Sequence, residues 1–563
     1  MDLKQISPQD KLKIKQFFQQ HDAHEYVKSF MADTFGDGSQ KPRRSNLSAS
    51  KVSVESQSND IQVTEPSLLV ELKDGAAFDE FHKSAIKTTI QITIDLLGKL
   101  YVIGNIKACQ CPNIGHKILI PLKSQIETLI TDPRPMRICI STTSPDLSFV
   151  GLNTYNWRKV FSEGKTSASI EIIGLQNEIV GVLHFNFSLL GYPEGMNYSK
   201  YKQLLDLQIR QETLDKIEAE RQYAVKLKIW WRELQQLIEV KSFNIVANEL
   251  GDNASKIFDF ITPFYERSLL TPGHCLRFAY LMSPIIAPAT PSFLPIWAVI
   301  SSRCGGEREK LNLLVSLLRG FGFNAYVAVG QPKCFAVAFS TALIFFDVMT
   351  GKFGDKPPVK CQTVSYLYNE SSLYANLNPK DNISQLQWDV KNPLRWKYLE
   401  APPKSGDKFA PSISDDVGEP IKEEEIELKV KKIIEIHRNS IGLLTKWNTE
   451  LPQVLLPKVD SYEREKVTGQ SLAVDSLAKD AISMKMKPYH SLRAAPALTN
   501  STSPEAIFSA IVKSKCGAEL LSARDNEASF VVIIRCTKYP NGLVATWALL
   551  AIDSVSPPMV AKK

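Results

Sequence analysis

The chain has 563 residues, 44% of them hydrophobic and 23% charged, which is ordinary globular composition with room for about three domains. With 67 Lys and Arg against 60 Asp and Glu the net charge is +7, too small a bias to argue for nucleic acid but compatible with an acidic protein surface as partner. The nine cysteines are scattered and odd in number, unlike a disulfide framework, and the first residues lack the apolar core of a signal peptide, so a cytosolic compartment is expected.

Ser7-Pro8-Gln9-Asp10 is a helix start, with a capping Ser, Pro at the first helical position and a carboxylate three residues after the Ser. A helix over 1–35 is expected, with Ile14, Phe17, Phe18, Val27 and Phe30 on its apolar face, followed by a polar, disordered linker over 36–67. From 68 to 195 the period changes to two. Ile90, Ile92 and Ile94 form one alternating run, Met136, Ile138 and Ile140 a second, and Leu183, Phe185, Phe187 and Leu189 a third. Short strands at this spacing predict a β-sandwich of the C2 kind. Calcium in such a sandwich takes 6–8 oxygen ligands, and the isolated loop acids are Asp132 and Asp146, so no calcium site is expected. Cys109-Gln110-Cys111 with His116 offers three zinc ligands without an evident fourth; buried thiols on a strand are the preferred reading, and no metal or other cofactor is called for. Gly164-Lys165-Thr166 lacks the other glycine of a phosphate-binding loop and reads as a turn.

A long charged helix is expected over 196–245. Ile217, Ala224, Trp231 and Ile238 recur every seven residues, which fits a coiled-coil seam, but the earlier turns do not hold the heptad, and a helix between domains with its Trp230-Trp231 end packed on its own protein is preferred. The most apolar window, 285–300, is interrupted by Pro288, Pro291 and Pro295 and does not read as a membrane span.

The stretch 246–404 carries the strongest functional signal. Leu311, Leu314, Val315 and Leu318 follow Gly305-Gly306 at helical spacing and stop at Gly320; three apolar runs then begin at Ala325, Phe335 and Leu343, the last closed by Asp347. In papain-like and transglutaminase-like enzymes this order puts a Cys at the helix start, where the dipole favours the thiolate, a His at the start of the second strand and an acid on the third. Here those three positions read Glu307, Phe335 and Asp347, so the core is expected to be catalytically degenerate, with an apolar cleft around Phe335. Cys304 is the alternative nucleophile, but no His occurs between His274 and His437 to take its proton. A linker is expected over 405–425. A small closing α/β element follows over 426–563, with a helix through Val430 and a hairpin around Tyr539-Pro540-Asn541-Gly542. The fold class is therefore multidomain α+β: a C2-like sandwich, a long connecting helix, a transglutaminase/papain-like core and a small C-terminal element.

KIWWREL from Lys228, TPGHCLRF from Thr271, LLVSLLRGFGFNAYVAVG from Leu313, FFDVMTGK from Phe345, HRNSIGLLTKWNTEL from His437 and TKYPNGLVATW from Thr537 give the chain a resemblance to the family of the centrosomal protein of 76 kDa. That resemblance implies a protein of centrioles and basal bodies that restrains centriole duplication and supports cilium assembly. Its implied partners are centriolar and ciliary proteins, with tubulin tails as a candidate. Residue by residue it places the family's Cys, His and acid positions on Glu307, Phe335 and Asp347. A cysteine enzyme and a peripheral membrane adaptor acting through the sandwich are the competing readings.

Overall fold

The computed structural model describes residues 65–555 apart from 83–87, 145–146, 194, 239–244, 252–254, 286–291, 359, 403–408, 415–419, 471–483, 485–489 and 526. The helix expected over 1–35, nearly all of the 36–67 linker and Asp146 lie outside the described residues.

The alternating runs form a sandwich of eight antiparallel strands: β1 (Ser67–Ala76), β2 (Thr89–Leu96), β3 (Lys99–Lys107), β4 (Asn113–Pro121), then after the short helix α1 (Ile126–Ile130), β5 (Met136–Ser144), β6 (Ser148–Tyr155), β7 (Lys165–Ile173) and β8 (Ile179–Leu190). The spatial order is β3-β2-β5-β6-β7-β8-β1-β4, but β6 and β7 share only the pair Leu152 and Ile173, so the sheet splits into two four-stranded layers. Ile90, Ile92 and Ile94 lie fully buried between them, with Leu183, Phe185 and Phe187 from β8. Cys109 and Cys111 stand in the loop between β3 and β4, half-buried and exposed, not buried on a strand as expected, and among the described residues no three His, Cys, Asp or Glu side chains converge as a metal site would require.

Helix α2 (Tyr198–Leu237) runs for 40 residues, about 60 Å at the α-helical rise, and starts where Asn197 accepts from the Lys200 N–H. Its first turns bury Leu205 in the sandwich core; its last turns bury Tyr223, Trp230 and Leu234 in the core of the next unit, where Trp230 Nε1 donates to the Tyr398 carbonyl at 2.8 Å. Leu227 and Trp231 pack against this same protein, while Ile217 is 56% exposed. The helix is a strut between two cores.

After the two-residue strands β9 (Val246–Ala247) and β10 (Ser255–Lys256) come three helices, α3 (Pro272–Tyr280), α4 (Ile296–Ser302) and α5 (Glu307–Gly320). Seven strands complete this unit: β11 (Asn324–Gln331), β12 (Phe335–Phe339), β13 (Leu343–Asp347), β14 (Lys352–Gly354), β15 (Thr363–Tyr368), β16 (Ser372–Asn376) and β17 (Trp396–Glu400), in the order β14-β13-β12-β11-β15-β16-β17. Leu311, Leu314, Val315 and Leu318 of α5 are wholly buried against one face of the sheet. The other face is covered by the chain between β16 and β17, through Ile383, Leu386 and Trp388.

The last unit is more than a closing element. Helices α6 (Glu423–Ser440) and α7 (Leu451–Thr468) precede β18 (His490–Thr499), α8 (Pro504–Lys513), α9 (Lys515–Leu521), β19 (Ser529–Lys538) and β20 (Val544–Val555). The strands pair in the order β18-β20-β19; α6, α8 and α9 cover one face and α7 the other, so both faces carry a core. The expected hairpin is present, with Asn541 and Gly542 both at positive φ in its turn. The 405–425 linker is only partly one: α6 begins inside it, and residues 409–414 lie docked on the sandwich. Among the described residues no helix is long and apolar enough to cross a membrane.

One buried carboxylate joins this unit to the preceding one. Glu463 on α7 accepts from Arg277 Nε and Nη2 on α3 at 2.9 and 2.8 Å, from the Tyr539 hydroxyl at 2.6 Å and from Trp547 Nε1 at 2.7 Å. Burial pushes its pKa up, but the Arg277 guanidinium and the Tyr539 and Trp547 donors outweigh burial and hold it below the usual range. The helices meet closely because residue 273 is Gly: a Cβ there would stand 1.8 Å from the Val467 carbonyl. Arg277→Ala strands a buried charge and should cost about 3–5 kcal/mol in urea unfolding of the full chain. Tyr539→Phe removes one donor to a charged group and should cost less, about 1.5–3 kcal/mol. Equal small losses would mean that Glu463 does not hold the joint.

Candidate functional site

The order of elements points to the head of α5 and the strands facing it. Gly306 is extended, at φ −76° and ψ −176°, and α5 starts at Glu307 as the sequence predicts. Glu307 Oε1 accepts from the Cys334 N–H at 3.3 Å, so this carboxylate ties the helix start to the chain entering β12.

The three expected positions do not converge. Phe335 is fully buried on the sheet face away from α5, with its ring 6.0 Å from that of Phe345 and 6.2 Å from that of Trp388. Ala336, Ala338 and Phe346 belong to the core that contains α5. Alternation along β13 places Asp347 on the same side as Phe345, where its Oδ1 accepts from the Met349 and Thr350 N–H groups at 2.9 and 3.2 Å and shapes the turn into β14. The assignment of the second strand is thus one residue out of phase. Cys334, packed against the α5 core, faces the helix. The signal was available in Phe-Ala-Val-Ala-Phe, since the small residues of such a strand mark the face on which a helix can close.

Nor is the cleft apolar. Arg308, one residue into α5, carries its guanidinium to the Tyr368 and Tyr366 hydroxyls and the Cys334 thiol. Tyr368 in turn donates to Asn312 Oδ1 at 2.7 Å. Burial works against the Arg308 charge, but Tyr368, Cys334 and Tyr366 outweigh it and its pKa is raised, so the side chain stays a cation among neutral acceptors at neutral pH. Helical phase identifies this residue, because 308 precedes the buried Leu311 by three and Val315 by seven. Burial also pushes the Cys334 thiol up, against the opposing pull of Arg308.

Cys304 is wholly buried; its thiol donates to the Ser302 carbonyl at 3.3 Å and is pushed up to about 12 by burial. A thiol so displaced is a poor nucleophile. His274 Nδ1 is engaged with Thr271 Oγ1 at 2.9 Å while Cys275 is buried beside it. In the sandwich, Asp132 is held by Arg134 Nε at 2.9 Å.

Lys310 is the unusual titrating group here. It is 5% exposed, donates to the Tyr280 carbonyl at 3.3 Å, and burial lowers its pKa from 10.5 to about 8. Between pH 8 and 10.5 the unfolded chain therefore binds more protons at this group than the folded one, and stability should rise with pH across that window; below it the burial penalty stays in full. The shift corresponds to at most about 3 kcal/mol. Lys310→Met should unfold at higher urea than the wild type at pH 7, with the difference narrowing by pH 10. A difference constant with pH would show that Lys310 titrates as it does in water.

Residues 418–555 match the family domain described as the centrosomal protein of 76 kDa C-terminal domain, and residues 293–399 match the peptidase-like domain of the same family. The chain is 26% identical over 469 residues to the Xenopus tropicalis centrosomal protein of 76 kDa, covering 75% of this chain and 70% of that one. It is 26% identical over 470 residues to the Homo sapiens protein of that name, covering 75% and 71%. Among solved structures, a C2 domain-containing protein from a putative elicitor-responsive gene matches over 23% of this chain and 91% of its own, at 13% identity and TM-score 0.18.

Proposed function

The chain belongs to the family of the centrosomal protein of 76 kDa, and from that membership we propose that it is a non-catalytic scaffold of the centrosome or ciliary basal body. In this reading it restrains centriole duplication and supports cilium assembly by holding centriolar and ciliary proteins, with an acidic tubulin tail among the candidate partners for its mildly basic chain. The peptidase-like core contributes rigidity and surface in place of chemistry. The observation that carries the reading is the state of the two candidate thiols: burial raises the pKa of Cys334 against the pull of Arg308 and that of Cys304 against the pull of Arg303. A cysteine nucleophile needs a thiol whose pKa is lowered, and here burial outweighs the neighbouring cations.

The test is the tagged full chain in a ciliated cell, beside Cys334→Ser and Cys304→Ser. All three should mark centrioles or basal bodies alike, and the purified chain should neither hydrolyse peptides nor transfer acyl groups. A diffuse or plasma-membrane signal would contradict the scaffold, and an activity that disappears in Cys334→Ser would return the core to the enzymes.

A further inference from the structure

The segment Phe409 to Ser414 has no regular structure, yet it ties two units together. The Ser412 hydroxyl donates to Asp95 Oδ1 on β2 at 2.8 Å. Asp95 Oδ2 holds Arg137 Nη1 at 3.3 Å, with both side chains under a tenth exposed, and Arg137 Nη2 donates to the Phe409 carbonyl at 3.3 Å. The Arg134 guanidinium lies 5.6 Å from the centre of the Phe409 ring. At the far end the Ser414 carbonyl accepts from the Asn541 N–H of the C-terminal unit at 3.3 Å, and Ile413 packs into the central core. Phe409 and Pro411 also form part of the wall of a cavity of about 660 Å³ between the sandwich, α2 and the peptidase-like unit, which Arg137, Glu249 and Trp297 share.

We propose that Ser412 is a phosphorylation site, and that its phosphorylation detaches this strap from the sandwich and opens the cavity. The chemistry is transfer of the γ-phosphoryl group of ATP by an acid-directed serine/threonine kinase. The Ser412 oxygen forms the new O–P bond, the bond to ADP breaks, and the hydroxyl proton leaves to the kinase's base. The sequence suits such a kinase, since Asp415 and Asp416 stand three and four residues after Ser412. The local charges determine the consequence. Phosphorylation replaces the donor facing a buried carboxylate by a group of about −2 charge that can only accept. The two guanidiniums at the strap each already have a carboxylate: Arg137 has Asp95, and Arg134 has Asp132. A dianion at Ser412 therefore meets Asp95 across a hydrogen-bond distance without an uncommitted cation from that pair of arginines to receive it, and the strap has no ladder of backbone hydrogen bonds to hold it.

The purified full chain, treated with an acid-directed kinase and ATP, should carry phosphate on Ser412 by peptide mapping and none there in Ser412→Ala. Chymotryptic cleavage after Phe409, whose carbonyl and ring are held by Arg137 and Arg134, should then speed up by about tenfold or more in the folded chain. Ser412→Ala, which loses the hydrogen bond but gains no charge, should be cut there much less quickly than the phosphorylated chain. Asp95→Asn, phosphorylated on Ser412, should regain resistance because the repulsion is gone. No incorporation at Ser412 would overturn the assignment of the site. Incorporation with unchanged or slower cleavage would overturn the release, showing that Arg134 and Arg137 capture the phosphate.

Discussion

A single buried carboxylate fixes the relation between the peptidase-like and C-terminal units of this protein. Glu463 is surrounded by donors from two places far apart in sequence: the Arg277 fork on α3, and the Tyr539 hydroxyl and Trp547 indole of the β19–β20 hairpin. Each donor on its own would be an unsatisfied buried polar group, and the carboxylate on its own an uncompensated charge; together they are mutually satisfied. The aromatic face of Tyr280 lies 4.8 Å from the Arg277 guanidinium, so the cation is also sandwiched. The geometry requires α3 and α7 to touch, which Gly273 permits, and this contact makes the peptidase-like and C-terminal units a continuous body to which α2 then connects the sandwich.

Within that body the head of α5 carries a carboxylate and a guanidinium side by side. A cysteine nucleophile at a helix head depends on a dipole and an imidazole that favour the thiolate. Here the helix head carries Glu307, which clamps the β12 entrance, and Arg308, which reaches Tyr366, Tyr368 and Cys334. The phenols of Tyr366 and Tyr368 accept from this cation, and Asn312 anchors Tyr368 from the next turn of the same helix. The resulting network is polar and locked, suited to stiffness.

How much of this could be read from sequence depended on whether the signal was local. Ile90, Ile92 and Ile94 announce a strand because burial on one face imposes a period of two, and α5 is legible because Leu311, Leu314, Val315 and Leu318 keep a helical period behind two glycines. The register of β12 was also written there, in the alternation of Phe335 and Val337 with Ala336 and Ala338, but alignment to an enzyme pattern placed the wrong residue toward the helix. The Glu463 cluster was not legible at all: its partners lie 186 residues before it and 76 and 84 after it, and each alone looks like an ordinary residue of its own element. The same holds for Phe409 to Ser414, whose polar, Pro-containing sequence reads as linker while its contacts come from Asp95 and Arg137, more than 270 positions earlier.

A non-catalytic core requires that the thiols near the head of α5 be unreactive. The most direct measurement is the rate of iodoacetamide alkylation of each cysteine in the folded full chain at neutral pH, read by peptide mapping. Cys516, exposed at the start of α9, provides the reference for an ordinary thiol. Cys334 and Cys304 should react more slowly than Cys516 and catch up only on unfolding. Alkylation of Cys334 faster than Cys516 in the folded chain would mean that Arg308 activates this thiol, and would contradict the account.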